Sequence, residues 1–298
     1  MLEALRFMLS TAAKVRIARM LYLLLRLVRT PIGGSDRVRV KRRGIAWDLD
    51  LREGIDLTIY ARGAFEPDTL RALESRVRPG DTVLDIGANV GAHTLHLARL
   101  VGARGRVIAF EPTDFAIAKL RANLKANPEL EPRVSVHQAY LVADDSATPV
   151  EPIASSWPVD GTTPDDAVTA SRSMAAAGAR AMSLDSVLAS SGNPEVRLIK
   201  MDVDGHELEV LAGARGLLGR QTPVMVMELA PFVFHPESKF DAMVELLSGL
   251  GYRFLPLGSS KPLPAEPRAL RRQIPRAGSV NVVAMCAERA AARSGLPS

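Results

Sequence analysis

The 298-residue chain is 47% hydrophobic and 24% charged, enough apolar material for a substantial core, which excludes a disordered polymer. A single cysteine excludes an intrachain disulfide framework and fits a reducing, cytoplasmic setting. The net charge of +5 is uneven: residues 1–43 carry +9, residues 261–298 carry +5, and the body between them carries −9. An acidic body argues against a nucleic-acid cleft, which would concentrate basic residues instead.

Residues 2–29 read as one helix, uninterrupted by proline or glycine, in which Leu, Ile, Val and Met alternate with Lys14, Arg16, Arg19, Arg26 and Arg29. Its best apolar run, Met20–Val28, is interrupted by Arg26 and is too short to cross a bilayer. Such a helix can lie on an anionic membrane surface, cap a domain or form a homodimer contact. The first reading would place the protein peripherally at the inner face of the membrane. Residues 1–36 are thus expected to form a basic helix and linker, closed by the breaker cluster Pro31–Asp36.

Residues 37–80 read as a β-hairpin and a helix. Val38, Val40, Ile45, Trp47, Leu49 and Leu51 alternate about a turn at Arg43-Gly44, and a helix follows at 67–77. From residue 81 to 298 the pattern becomes strand–helix alternation. Strands are expected at 82–86, 106–111, 133–138, 196–202, 223–229, 251–256 and 280–286, and helices near 91–101, 114–126, 205–217 and 238–250. Short apolar runs separated by helices predict a doubly wound α/β fold, with a mostly parallel seven-stranded sheet and helices on both faces. The Ala/Ser/Thr/Asp/Pro-rich stretch 143–181 reads as an insert or a lid, and 258–276 as a loop. Cys286 sits in the apolar run 280–287 and reads as a core thiol.

The densest chemical signal is Thr82-Val-Leu-Asp-Ile-Gly-Ala-Asn-Val-Gly91. In open α/β sheets ligands bind outside the carboxyl ends of the strands near the first crossover. Gly87 permits a tight turn, Gly91 is expected to let backbone approach ligand, and the next helix offers free N–H groups. Asp85 would repel a pyrophosphate and favour a cationic ligand. Glu111 closes the second strand, 26 residues on, where an acid can accept hydrogen bonds from both ribose hydroxyls of an adenosine ligand. The absence of G-x-G-x-x-G argues against the second enzyme reading, a NAD-dependent oxidoreductase. A membrane-surface scaffold with a dead cofactor fold is the non-enzyme alternative, and the intact Asp85–Gly91 loop with Glu111 argues against it.

A second polar concentration, Lys200-Met-Asp-Val-Asp-Gly-His-Glu207, ends a buried strand. Asp204 can cap the following helix. Functionally, Asp202 would stand on the cleft floor as a general base, with Lys200 holding its charge, and with Asp204, Glu207 and Glu228 forming a polar cup for substrate. His235 is the second candidate base. No metal is assigned, although Asp202, Asp204 and Glu228 could group around magnesium.

The segments Asp85–Gly91, Val83–Pro112, Met182–Val187, Ile199–Glu207 and Met225–Leu229 together resemble the FkbM family of S-adenosylmethionine-dependent methyltransferases. The resemblance covers roughly residues 80–257 apart from the insert. It implies S-adenosylmethionine as methyl donor and O-methylation of a sugar, glycolipid or natural-product hydroxyl. It places Asp85, Gly87, Ala88, Asn89 and Gly91 beside the methionine part, Glu111 at the ribose, and Gln138 and Ala139 near the adenine. Asp204 stands where the family usually has Glu. No Asn/Asp-Pro-Pro-aromatic sequence follows the fourth strand and no Pro-Cys pair occurs, which removes the usual base-amine and cytosine-C5 chemistries.

Overall fold

The computed structural model describes residues 11–146, 153–165, 170–276 and 278–286. The start of the expected first helix and parts of the 143–181 insert lie outside the described residues. Helix α1, Thr11–Arg29, precedes an antiparallel hairpin of β1 (Arg37–Arg42) and β2 (Ile45–Asp50). Arg43 and Gly44 both take positive φ (48° and 80°), the backbone a two-residue hairpin turn requires. Ile45, Trp47 and Leu49 alternate inward on β2 and are almost completely buried.

Helices α2 (Gly54–Arg62) and α3 (Pro67–Glu74) come next. The sequence reading had no helix at 54–62, because its burial does not follow a single stripe. α2 instead packs on α1, β1 and β2 together.

The central sheet then forms from β3 (Thr82–Ile86), β4 (Arg106–Phe110), β5 (Val134–His137), β10 (Val196–Met201), β11 (Val224–Leu229), β12 (Tyr252–Pro256) and β13 (Val280–Cys286). Its order is β12-β13-β11-β10-β3-β4-β5. β3, β4, β5, β10 and β11 pair in parallel, and β13 inserts antiparallel between β11 and β12. β3 therefore has β4 on one side and β10 on the other, and the chain leaves in opposite directions from them. That topological switch point lies where β3 and β10 end.

Helices α4 (Thr94–Val101), α5 (Asp114–Lys125), α6 (Leu184–Ser190), α7 (Glu207–Ala212), α8 (Arg215–Arg220) and α9 (Ser238–Gly249) connect these strands. Buried side chains form two large clusters, one with Ile86, Met201, Met227 and Phe254, the other with Trp47, Leu97, Val107 and Val226. The helix expected at 205–217 breaks into α7 and α8 at Gly213. The backbone there approaches the Val142 carbonyl so closely that no Cβ fits. The loop expected at 258–276 contains α10, Pro267–Gln273, whose Glu266 side chain caps the amides of Arg268 and Ala269.

The insert is partly ordered into short strands: β6 (Ala139–Leu141) pairs β9 (Arg180–Met182), and β7 (Ile153–Ser156) pairs β8 (Arg172–Met174). β7 and the residues after it bind the start of α2, through Ser156 Oγ to Glu53 (2.8 Å), Gly54 N to the Trp157 carbonyl (2.9 Å) and Val159 N to the Arg52 carbonyl (2.8 Å). Among the described residues no helix is long and apolar enough to cross a membrane.

Trp47 joins the hairpin to the sheet layer, its ring 6.2 Å from that of His96 on α4. Trp47→Ala should cost about 3–5 kcal/mol, read as a lower urea midpoint with the far-ultraviolet dichroism of the native state retained.

Candidate active site

The turn after β3 is held by three groups that were far apart in sequence. Gly87 N and Ala88 N both donate to the Phe110 carbonyl at the end of β4 (3.0 and 2.9 Å). Gly87 has φ +75°, and a Cβ there would collide with the Asp202 carbonyl. Only glycine fits so close to β10. Lys200, 4% exposed, donates to the Gly87 carbonyl (2.9 Å) and lies 3.6 Å from Asp85 and 3.9 Å from Asp202. Its ammonium thus joins β3, the turn and β10, and these carboxylates outweigh burial and hold its pKa above the usual lysine value.

Beyond this junction the strand ends open into a cavity of about 1070 Å³, at the upper end of the range for small-molecule sites. Gly87, Ala88, Asn89 and Glu111 wall one part of it, with Ala139, Tyr140 and Leu141. Asp202, Asp204 and Glu228 wall another. Glu111 is 4% exposed and accepts from Asn89 N (2.9 Å), Thr113 N (2.9 Å) and Thr113 Oγ1 (2.6 Å). Burial raises its pKa against the lowering effect of those donors. Asn89, at φ +47°, also donates to the Ser155 carbonyl (3.3 Å), so β7 of the insert rests on the turn.

Several expected site residues stand elsewhere. Asp85 is fully buried beneath the turn, where it accepts from Thr94 Oγ1 (2.6 Å) and faces Lys200; it meets an internal cation, not the cavity. Gly91 does not wall the cavity either. The close approach it permits is to Leu120 and Leu95, whose methyls would lie 2.6 and 2.7 Å from a Cβ. Gln138 turns away from the cavity toward α5 and donates to Asp114 (2.5 Å), leaving Ala139 to line the wall. Glu207 is 3% exposed and accepts from Gly205 N (3.1 Å) and, more weakly, from Val203 N (3.4 Å); it braces the loop after β10. His235 is exposed outside the cavity, because the 3-10 turn Pro231–Val233 sends the neighbouring Phe234 into the core. The residue at the helix cap position of α7 is His206, not Asp204.

Asp202, Asp204 and Glu228 each bring a carboxylate oxygen within 4.8 Å of the others, close enough to bracket one cation or share a proton. Desolvation, followed by the charge of Asp202, pushes Glu228 up to about 8. Asp204 is exposed, so its carboxyl is raised chiefly by the neighbouring charges of Asp202 and Glu207.

Other cavity residues escaped the sequence reading. Tyr140 OH lies 2.6 Å from His206 Nδ1, and both side chains line the wall. His93, 3% exposed, also lines it; burial and then the Lys200 charge keep it neutral. Phe65, whose ring lies 5.9 Å from that of His93, also lines the cavity, as do Glu66, Phe232 and Asn281. His206 lay within a quoted motif. Phe65 and Phe232 carried no signal, since loop aromatics look alike until the fold faces them inward.

The Methyltransferase FkbM domain model matches residues 85–254, more than half of the chain. The chain is similar to the hexuronic acid methyltransferase AglP of Haloferax volcanii, 30% identical over 153 residues, covering 51% of this chain and 58% of that protein. The chain thus spans less than two thirds of this relative. Among solved structures it resembles methyltransferase FkbM from Methylobacillus flagellatus KT (15% identity, 72% of this chain and 50% of that one, TM-score 0.44). It also resembles a SAM-dependent methyltransferase from Aquifex aeolicus (16% identity, 78% and 94%, TM-score 0.41).

Glu207 gives a pH test of the brace. Burial raises its carboxyl from 4.5 to about 8. A raised folded-state pKa means that the native state holds a proton the unfolded chain releases. Its contribution is complete below the unfolded value and is lost as pH rises through the folded one. Urea midpoints measured from pH 5 to pH 8 should fall with pH, and Glu207→Gln should make that fall shallower.

Proposed function

The chain belongs to the FkbM methyltransferase family, whose cofactor is S-adenosylmethionine, and from that premise we propose that it methylates a hydroxyl group of a glycan, with Asp202 accepting the hydroxyl proton. The observation that carries this reading is the sharing of one cavity by the Gly87–Asn89 turn with Glu111 and by the carboxylates at the ends of β10 and β11.

The residues fit the cofactor. Gly87 lets the turn lie against the end of β10, Asn89 and Glu111 supply polar groups at a buried wall, and Ala139 and Leu141 supply an apolar one. Glu111 would hold the ribose hydroxyls, and the turn the methionine part. When bound, S-adenosylmethionine supplies a methyl group already activated by its sulfonium. The protein then has two tasks, alignment and proton removal.

Asp202 suits proton removal because Lys200, 3.9 Å beneath it, fixes its position, while its side chain remains about one third exposed toward the cavity. Lys200 acts from below as a positioning cation. Phe65 and Phe232 offer flat apolar faces, and Glu66, Asn281 and the carboxylates offer hydrogen-bond acceptors and an amide, the mixture a sugar ring requires. The relative's hexuronic acid supports a sugar acceptor. The carboxylate-rich wall favours presentation of a neutral hydroxyl there, with any anionic group of the acceptor directed elsewhere.

Calorimetry should give micromolar affinity for S-adenosylmethionine, on the order of −8 kcal/mol. Glu111→Gln should weaken it by about 1.5–3 kcal/mol, the worth of hydrogen bonds to a charged group. A folded wild-type chain with no affinity would sink the reading. Asp202→Asn should lower kcat for transfer of labelled methyl to a glycoside by about 10²–10⁴ and leave cofactor affinity unchanged. An undiminished kcat would remove Asp202 as the base.

A further inference from the structure

Helix α1 has two apolar faces. The inner one, with Val15, Ala18, Tyr22 and Leu25, packs on Leu51, Leu57 and Val159. Arg29 pins its end by donating to Tyr60 OH (3.0 Å) and the Ser35 carbonyl (3.0 Å). The outer face consists of Ile17, Met20, Leu21, Leu24, Leu27 and Val28, between 38% and 73% exposed, and Ile32 beyond it is 80% exposed. The positions 17, 20, 21, 24, 27 and 28 recur at helical spacing, so they form one stripe on the side away from the protein. Soluble monomers rarely leave such a contiguous apolar surface to water.

Arg16, Arg19 and Arg26 are exposed along one flank of that stripe, between it and the packed face. Residues 1–43 as a whole carry +9 against −9 for the body. An apolar stripe edged with arginines matches a bilayer with anionic headgroups, where the apolar side chains enter the acyl boundary and the guanidinium groups stay at headgroup level. α1 is too polar to span and suited to lie in the interface.

The same helix borders the cavity: Val15, Ile17, Ala18 and Leu21 are part of its wall. Ile17 and Leu21 belong both to the outer stripe and to the cavity rim. The cavity wall also carries Arg62, Arg71 and Arg76 on α2, α3 and the turn that follows, a basic cluster in which Arg71 pairs with Asp68 and Arg76 donates to the Ala72 carbonyl and Ser75 Oγ; an anionic linkage would share these cations with those partners.

We propose that α1 docks the protein on an anionic bilayer and that the cavity takes its acceptor from that surface, as a glycan joined to a lipid through a phosphate ester. This rests on the methyltransferase reading and specifies its acceptor class.

The test uses the full chain with vesicles of phosphatidylcholine alone and of phosphatidylcholine mixed with phosphatidylglycerol. Binding is expected to the mixed vesicles only and to weaken as salt rises. Met20→Ser/Leu24→Ser/Leu27→Ser, at exposed positions outside the cavity wall, should weaken it at least about tenfold, as loss of three buried apolar side chains requires. S-adenosylmethionine affinity measured on the same variant should equal that of wild type, which reports the fold and keeps the cofactor reading separate. An environment-sensitive fluorophore at Leu21→Cys should brighten with mixed vesicles, and the same probe at Gly219→Cys on α8 should not. A wild-type chain that binds S-adenosylmethionine but ignores mixed vesicles would overturn the proposal. So would a dimer in light scattering that the triple variant turns into a monomer, since the stripe would then be a contact between copies.

Discussion

Everything around the cavity depends on how closely β3 and β10 meet at Gly87. The absent side chain lets the Asp202 carbonyl sit against the turn, and Lys200 fixes that approach from below. A lysine left only 4% exposed is costly to desolvate, and here two carboxylates and a carbonyl offset the cost. The arrangement has a directional consequence. Asp85 takes the inner side of the ammonium and Asp202 the outer side, so one acid is sealed into the fold while the other is presented to the cavity. Removing Lys200 would leave a buried, uncompensated Asp85 and an unanchored Asp202 together.

The rest of the wall shows the opposite electrostatic strategy. Asp204, Glu207 and Glu228 stand near Asp202, Glu207 buried, Glu228 part-buried and Asp204 exposed, and crowding of like charge raises all three carboxyls. Like charges this close cannot all ionise near neutrality. Within this cluster Asp202 is the member with the buried ammonium of Lys200 within 4 Å.

The insert and the N-terminal elements act as one continuous cover. Ser155 bonds Asn89 of the turn and touches Thr113 (2.9 Å), while its neighbour Ser156 bonds Glu53 at the start of α2. Val159 reaches the inner face of α1. Helix α1 is thus linked, through apolar contacts and a few hydrogen bonds, to the residues around Glu111.

The sequence alone determined the seven strands of a mostly parallel sheet and the strand-end positions of Gly87, Asn89, Glu111, Asp202 and Glu228, because these rest on local periodicity and on strand ends that a short motif marks; the order of the strands and the antiparallel β13 came only with the tertiary structure. It could not determine which way a side chain turns once a strand has ended. Asp85, Glu207, Gln138 and His235 were read as site residues from their neighbourhood in the chain, yet each is placed by a partner distant in sequence or by a turn: Lys200 for Asp85, the loop amides of Val203 and Gly205 for Glu207, Asp114 for Gln138, and the burial of Phe234 for His235. The helix α2, the strands of the insert and the pairing of Tyr140 with His206 belong to the same class. Their signals are weak locally because their energy comes from surfaces that exist only when the sheet has assembled. Tertiary structure also decided what α1 does with its two apolar faces: the sequence showed a basic amphipathic helix, and only packing against Leu51, Leu57 and Val159 left the second face on the outside.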